Sequence, residues 1–141
     1  MQMDYIVSID TKQKIDGDEE SLQVITHASF SGDRDDYTII YTEQSAEGGE
    51  STTELRCESG EKITVVRSGD EMTTQLILEK GRRHISCHTT PFGTFSMGIT
   101  ATEIDSDIDS NGGTLHFRYS TDIENNPLGE IVFDFILKPK K

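Results

Sequence analysis

Residues 113–119 read GTLHFRY, and this short stretch places apolar and polar side chains at alternate positions. In an extended chain Leu115, Phe117 and Tyr119 fall on one side, and His116 and Arg118 fall on the other. A period of two is typical of a β-strand with one face toward the core and one face toward water. We therefore predict a half-buried strand here, with its two basic side chains in solvent.

The same alternation recurs along the chain, whereas no window sustains apolar residues at helical spacing. Turn-forming pairs such as Asp16-Gly17 and Asn111-Gly112 separate the segments, so neighbours in sequence should form antiparallel hairpins. The polar stretch 44–53 and the acidic stretch 103–113 are predicted to be long loops. The predicted strand segments are 3–9, 22–30, 37–41, 55–57, 63–65, 72–78, 85–87, 95–101, 115–119 and 131–137.

These segments predict an all-β fold of about 8 to 10 strands in a mostly meander order. Such a sheet must close on itself or fold into two layers, because otherwise its apolar face and both edges stay exposed. Closure removes both problems, so we favour an antiparallel barrel over a sandwich. With 141 residues and 33% apolar content, the chain is expected to form one domain spanning residues 1–141.

The composition is acidic, with 13 Lys and Arg against 26 Asp and Glu and a formal charge of −13. This charge disfavours binding to a nucleic-acid backbone. The N-terminal MQMDYIVSID lacks a basic region followed by an apolar run, so we expect no signal peptide, no membrane span and a cytoplasmic location. Cys57 and Cys87 are then expected to be reduced and buried, with a disulfide as the less favoured alternative.

The segment DIDSNGGTLHFR, residues 107–118, begins like a calcium loop. Asp107, Asp109, Asn111 and Gly112 match its early positions, but Arg118 stands where the closing Glu should be. A cation there would repel calcium, and the flanking segments are strands rather than helices. An acidic surface loop ending in an Asn-Gly hairpin turn is the favoured interpretation, and no metal site is predicted.

The motifs of common enzymes are missing from this sequence. His84 and His88 would lie about 13 Å apart on a strand, which is too far for a shared metal. All four histidines, which include His27 and His116, are interpreted as surface residues. Ser96 lacks the Gly-x-Ser-x-Gly spacing of a nucleophile elbow, and no phosphate loop or dinucleotide fingerprint occurs. We therefore predict no cofactor and lean away from an enzyme.

The stretches HTTPFGTFSMGITATEI, residues 88–104, and GTLHFRYSTDI, residues 113–123, resemble the YwiB-like family of bacterial proteins. That resemblance covers essentially the whole chain and implies a calycin-like β-barrel fold without an assigned activity. Within it, Thr90, Pro91 and Gly93 form a structural motif, because Pro fixes φ and Gly permits positive φ at a tight corner. No catalytic residues are implied.

Two functional hypotheses follow from a barrel of this kind, beside a third, an enzyme of unrecognised chemistry, which would need polar groups that converge inside the barrel. In the first, the lumen binds a small, partly apolar ligand on the aromatic side chains that line it. The alternative is that these aromatic side chains only fill the core. In the second, the chain is a non-enzymatic interaction module that uses an outer face or the basic turn 80–84. The sequence leaves the oligomeric state open. The candidate lumen residues are Tyr5, Tyr37, Tyr41, Tyr119, Phe95 and Phe117.

Overall fold

The computed structural model describes residues 4–15, 17–44, 49–69, 73–90 and 93–140, and within these ranges the chain forms ten β-strands and no helix. Consequently no described helix is long and apolar enough to cross a membrane. The strands are β1 (Tyr5–Ile15), β2 (Asp18–Gly32), β3 (Tyr37–Gln44), β4 (Glu50–Glu58), β5 (Lys62–Ser68), β6 (Thr73–Glu79), β7 (Arg83–Thr90), β8 (Gly93–Asp109), β9 (Gly112–Ile123) and β10 (Asn126–Pro139).

The ten strands form one closed antiparallel barrel in meander order. Each strand pairs with its neighbours in sequence, and β1 pairs with β10 from Tyr5↔Pro139 to Ile15↔Gly129 to close the sheet. The predicted all-β meander barrel is therefore confirmed, and so is the number of strands. In β9, Leu115, Phe117 and Tyr119 are buried inside the barrel while His116 and Arg118 lie on its outer side, as the alternation predicts.

One end of the barrel is filled by side chains, and we call it the filled end. Phe30 lies between two tyrosines there, with ring centroids 5.7 Å from Tyr5 and 5.6 Å from Tyr37. The Tyr37 hydroxyl bonds the Ser106 hydroxyl at 2.7 Å, and the Tyr5 hydroxyl donates to the Ser110 carbonyl at 2.8 Å. Burial raises the pKa of Tyr37 well above its usual value. These contacts close this end with aromatic rings whose hydroxyls are all satisfied.

Strand β7 has the opposite phase from the predicted one. Ile85 is 55% exposed and Cys87 is exposed, while Ser86 is only 1% exposed. The pairing with β8 sets this phase, because directly paired residues lie on the same face of the sheet. Ser86 pairs with Met97, which lies on the same face of β8 as the buried Ile99. The prediction that Cys87 is buried was therefore wrong. Both cysteines are free, and Cys57 is buried as expected.

Strand β8 continues through most of the acidic stretch that the sequence predicted to be a loop. Its pairing with β9 is irregular between Ala101 and Glu103 and then continues to Asp109↔Gly112. Between these two pairs β8 contains one residue more than β9, as in a β-bulge. The residues that face the core therefore have odd numbers up to Ala101 and even numbers after it, as in Ile104 and Ile108. A search for strict alternation of apolar and polar residues therefore does not recognise the part of the strand after this shift. In the other predicted loop, 44–53, residues 45–48 lie outside the described residues, and β4 begins at Glu50.

The predicted hairpin turn at Asn111-Gly112 joins β8 to β9. Gly112 has a φ of 98°, and a Cβ atom there would collide with the Leu137 carbonyl oxygen. The nearby carboxylates have protein partners, since Asp107 pairs with Arg34 at 2.9 Å and Asp109 accepts a bond from the Asn111 N–H at 2.8 Å. In the described ranges no group of three His, Cys, Asp or Glu side chains is placed to hold a metal ion.

Replacing Leu78 by Ala should destabilise the barrel by about 2 to 5 kcal/mol, because Leu78 is fully buried and its loss leaves a cavity. Its neighbour Ile77 lies on the outer face of the same strand, so Ile77→Ala should cost no more than about 1 kcal/mol. Urea denaturation of the two variants measures the difference. Equal losses of stability would contradict the inward placement of Leu78.

Candidate functional site

The other end of the barrel, which we call the open end, contains a cavity of about 450 Å³. It reaches the surface, because Leu22 lines it and is 62% exposed. All ten strands contribute to its wall, which follows from closure, since each strand turns alternate side chains inward. The lining residues are Ile9, Thr11, Gln13, Leu22, Val24, Tyr41, Glu43, Leu55, Val65, Arg67, Thr74, Leu76, His88, Met97, Ile99, Phe117, Tyr119, Thr121, Ile131, Phe133 and Phe135.

An aromatic wall from β9 and β10 forms one side of the cavity. Phe117 and Phe133 are paired directly across the two strands, and their ring centroids are 4.9 Å apart. Phe135 lies 5.9 Å from Phe117, and Tyr119 lies 6.3 Å from Phe133, with all these rings stacked. The wall results from two adjacent strands that carry aromatic residues at inward positions. It offers a ligand a broad apolar surface that is held in place by cross-strand contacts.

Arg67 brings a positive charge into this mostly apolar cavity. It follows Ile63 and Val65 on the inward face of β5. Its Nη2 lies 2.9 Å from the Glu43 carboxylate, and its Nε donates to the Thr53 hydroxyl at 3.3 Å. The side chain of Arg67 is 40% exposed and that of Glu43 is 21% exposed. The pair is therefore partly hydrated, which reduces the cost of placing two charges in the lumen.

Two tyrosines near this ion pair remain hydrogen-bond donors. Burial raises the pKa of Tyr41 to about 12, although the positive charge of Arg67 offsets part of that effect. Burial also raises the pKa of Tyr119, which is only 4% exposed. Within the described residues the Tyr119 hydroxyl has no hydrogen-bond partner, yet no fully buried side-chain polar atom there lacks one. The Tyr119 hydroxyl must therefore border the cavity.

His88 is a neutral polar group in the wall. The Ser86 hydroxyl donates its hydrogen to the Gln75 carbonyl, so Ser86 can only accept a bond from the His88 Nε2–H at 3.2 Å. His88 Nδ1 then accepts from the Thr74 hydroxyl at 3.4 Å. Burial lowers the pKa of His88. This arrangement is not a Ser-His nucleophile, because the serine hydrogen points away from the histidine.

Only some of the predicted lumen residues meet at this cavity. Tyr41, Phe117 and Tyr119 line it, whereas Tyr5 and Tyr37 belong to the filled end. Phe95 lies outside the cavity wall and is 55% exposed.

The predicted structural motif is described in part. Gly93 begins β8 with a φ of 134° and pairs with Thr90, while Pro91 lies outside the described residues. The positive φ of Gly93 fits the glycine requirement that the motif predicts.

Sequence reasoning missed the polar members of the site other than Tyr41 and Tyr119, and the ionisable residues among those missed are Glu43, Arg67 and His88. The alternation contains a signal for two of them, because Glu43 is two residues after Tyr41 and Arg67 is two residues after Val65. His88 gave no such signal, since the phase of β7 was predicted incorrectly.

The basic turn 80–84 carries less free positive charge than its sequence indicates. Arg83 makes a two-pronged contact with Asp122 at 2.7 and 3.0 Å. Arg82 and His84 both lie near Glu79, at 3.8 and 3.1 Å. The local positive charge is therefore largely balanced by neighbouring carboxylates.

Comparison with known proteins identifies the relatives of this chain. The family described as "Domain of unknown function (DUF1934)" matches residues 7–134. A crystal structure of the ywiB protein from Bacillus subtilis superimposes with a TM-score of 0.77 at 17% sequence identity, over 94% of this chain and 89% of that one. No curated protein matches the chain. The predicted resemblance to the YwiB-like family is confirmed, and at this identity the structural match establishes the fold.

The lowered pKa of His88 predicts a specific pH dependence of stability. A histidine whose pKa is lower in the folded state takes up its proton more readily in the unfolded state. The free energy of unfolding should therefore fall as the pH decreases below about 6.5, and should be unaffected by this group above that value. His88→Gln should lose part of this fall. Thermal unfolding at pH 7.5 and pH 5 measures it.

The control for that experiment is His27→Gln, because His27 is exposed on the outer face of β2. This variant should keep the pH dependence of the unaltered protein. If the stability of His88→Gln changed with pH in the same way as that of the unaltered protein, His88 would not be held in its neutral form in the folded state.

Proposed function

The chain belongs to the family described as Domain of unknown function (DUF1934), and from the geometry of its lumen we propose that it binds a small, partly apolar ligand. The observation that carries this proposal is the cavity of about 450 Å³ at the open end. That volume lies within the range of about 300 to 1,000 Å³ typical of small-molecule sites. Its walls are mainly apolar, with a few polar groups, which is the usual composition of such sites.

The contrast between the two ends of the barrel supports a binding role. Protein interiors are closely filled, and voids larger than a water molecule are few. The filled end follows this rule, with the ring of Phe30 packed against those of Tyr5 and Tyr37. A barrel selected only for stability would be filled along its whole length. The retained space at the open end therefore favours an occupant other than the protein's own side chains.

A calycin-like cup in the cytoplasm is the setting that we propose for this function. The exposed free thiol of Cys87 supports a reducing compartment, because such thiols oxidise readily outside the cell. The likeness to calycins is an analogy based on fold and suggests only that the ligand enters at the open end.

The alternative hypothesis of an interaction module has weaker support. In the turn 80–84, Arg82, Arg83 and His84 each have a carboxylate neighbour, so an acidic partner would have to displace Glu79 or Asp122. On the outer face, Ile25 and Ile136 flank Ser8 in one row across three strands. This short row alone does not make a contiguous apolar patch of the kind found at stable interfaces.

Titration with N-phenyl-1-naphthylamine, an uncharged dye that fluoresces in apolar surroundings, tests the proposal. The chain contains no tryptophan, so the dye signal is read without interference from tryptophan emission. We expect saturable binding of one dye molecule per chain. Val65→Phe fills part of the cavity and should weaken dye binding at least about tenfold.

The matched control is Val66→Phe, which places the same ring on the outer face of β5, where Val66 pairs with Gln75. This variant should bind the dye like the unaltered protein. Circular dichroism of both variants checks that the barrel is intact. Dye binding that is not saturable, or that responds equally to both substitutions, would count against a lumenal site.

A further inference from the structure

The hydrogen-bond donors that remain unused in the lumen point to the polar half of the ligand. We infer that the lumen takes an anionic amphiphile, whose carboxylate binds Arg67 and the hydroxyl of Tyr119 while its apolar body lies on the aromatic wall. This inference rests on the proposed function and adds the chemical class of the ligand to it.

Two side chains at this site offer hydrogen-bond donors to a ligand. The guanidinium of Arg67 uses Nε and Nη2 in its contacts with Thr53 and Glu43. A guanidinium has five N–H donors and no acceptor atom of its own, so N–H groups remain for a ligand even with the side-chain hydrogen bond to Arg67 that lowers the pKa of Tyr41. The Tyr119 hydroxyl adds a second unused donor that borders the cavity. A ligand group rich in acceptor atoms would satisfy both.

Arg67 and Tyr119 approach the cavity from facing walls. In the closed strand order, β5 and β9 are separated by β6, β7 and β8. Both side chains line the same cavity, and the positive charge of Arg67 offsets part of the effect of burial on the pKa of Tyr119. The two donors are thus electrostatically coupled. A carboxylate between them could accept from both with its two oxygens.

The existing partner of Arg67 does not prevent a second carboxylate from binding. On the outer face of the same barrel, Arg118 shares its Nε between Glu103 at 3.3 Å and Glu130 at 3.2 Å. A single guanidinium can therefore serve two carboxylates in this protein. In the lumen, the carboxylate of Glu43 would be one of the two carboxylates bound to Arg67, and the carboxylate of the ligand would be the other.

A cationic ligand bound to Glu43 fits the site less well. The side chain of Arg67 is 40% exposed and that of Glu43 is 21% exposed, so Arg67 is the more accessible side chain of the pair. A cation at Glu43 would also meet the positive charge of Arg67, which already bonds one oxygen of that carboxylate. Among the lining residues that the structure describes, Arg67 is the only permanent cation, and burial lowers the pKa of His88 and so favours its neutral form.

The formal charge of −13 opposes the approach of an anion but does not decide its affinity. Charges on the surface are screened over about 10 Å at 0.1 M salt, whereas contacts inside the lumen are screened much less. Long-range repulsion mainly lowers the association rate, and short contacts set the dissociation rate. We therefore expect added salt to accelerate carboxylate binding.

Competition against N-phenyl-1-naphthylamine with decanoate and with methyl decanoate tests the inference at pH 7.5. The two probes share the same alkyl chain and differ in the charge of the polar group. The unaltered protein should prefer the acid at least about tenfold, which corresponds to one charge-assisted hydrogen bond. Arg67→Met should abolish this preference, and Tyr119→Phe should reduce it, because the affinity for the acid should fall more than the affinity for the ester.

Glu43→Gln provides a readout that a purely structural ion pair would not give. Removing the competing carboxylate frees the guanidinium, so this variant should bind decanoate more tightly than the unaltered protein does. Weaker binding by Glu43→Gln, with the barrel intact by circular dichroism, would overturn the inference. This variant and Tyr119→Phe keep the test valid even if Arg67→Met fails to fold.

The outcomes separate the two proposals. Equal affinity for decanoate and methyl decanoate, with saturable dye binding, would overturn the anionic ligand and leave the lumenal site intact. No saturable binding of the dye, the acid or the ester would overturn the lumenal site and the ligand class together.

Discussion

The backbone pairing of β1 with β10 is the contact on which the rest of the structure depends. The other ladders join strands that follow each other in sequence, whereas this one joins the two ends of the described chain. Without it, β1 and β10 would be open edges with unpaired N–H and C=O groups. Closure also turns one face of the sheet into an interior. The filled end and the cavity both depend on that single ladder, which encloses the side of the sheet that the apolar alternation defines.

Much of this fold could be predicted from the sequence because its contacts are mostly local. Hairpin-linked strands with Gly-containing turns specify their own neighbours, so the ten alternating segments correspond to the ten strands. The failures have identifiable causes. In β7, Ile85 and Cys87 resemble a core face, but pairing with β8 places Ser86 inside. In β8, the irregularity after Ala101 changes the phase and hides the rest of the strand.

The site could be predicted less well, because alternation gives the face of a residue but not its height along the barrel. Tyr37 and Tyr41 both point inward from β3, yet the first fills one end and the second lines the cavity. The height depends on how the strands tilt and how large the neighbouring side chains are. The pairing of Arg67 with Glu43 joins β5 to β3 across β4, and no local pattern encodes such a contact.

The even number of strands has a practical consequence for the two chain ends. Because successive strands reverse direction, an even count returns the chain to the end where it began. The Lys140 N–H donates to the Asp4 carbonyl at 3.0 Å, so the two ends of the described chain are neighbours at the filled end. A short peptide could join them in a circular permutant, with new termini cut elsewhere. A tag or reporter domain attached next to Asp4 or Lys140 would likewise start at the filled end, opposite the mouth of the cavity.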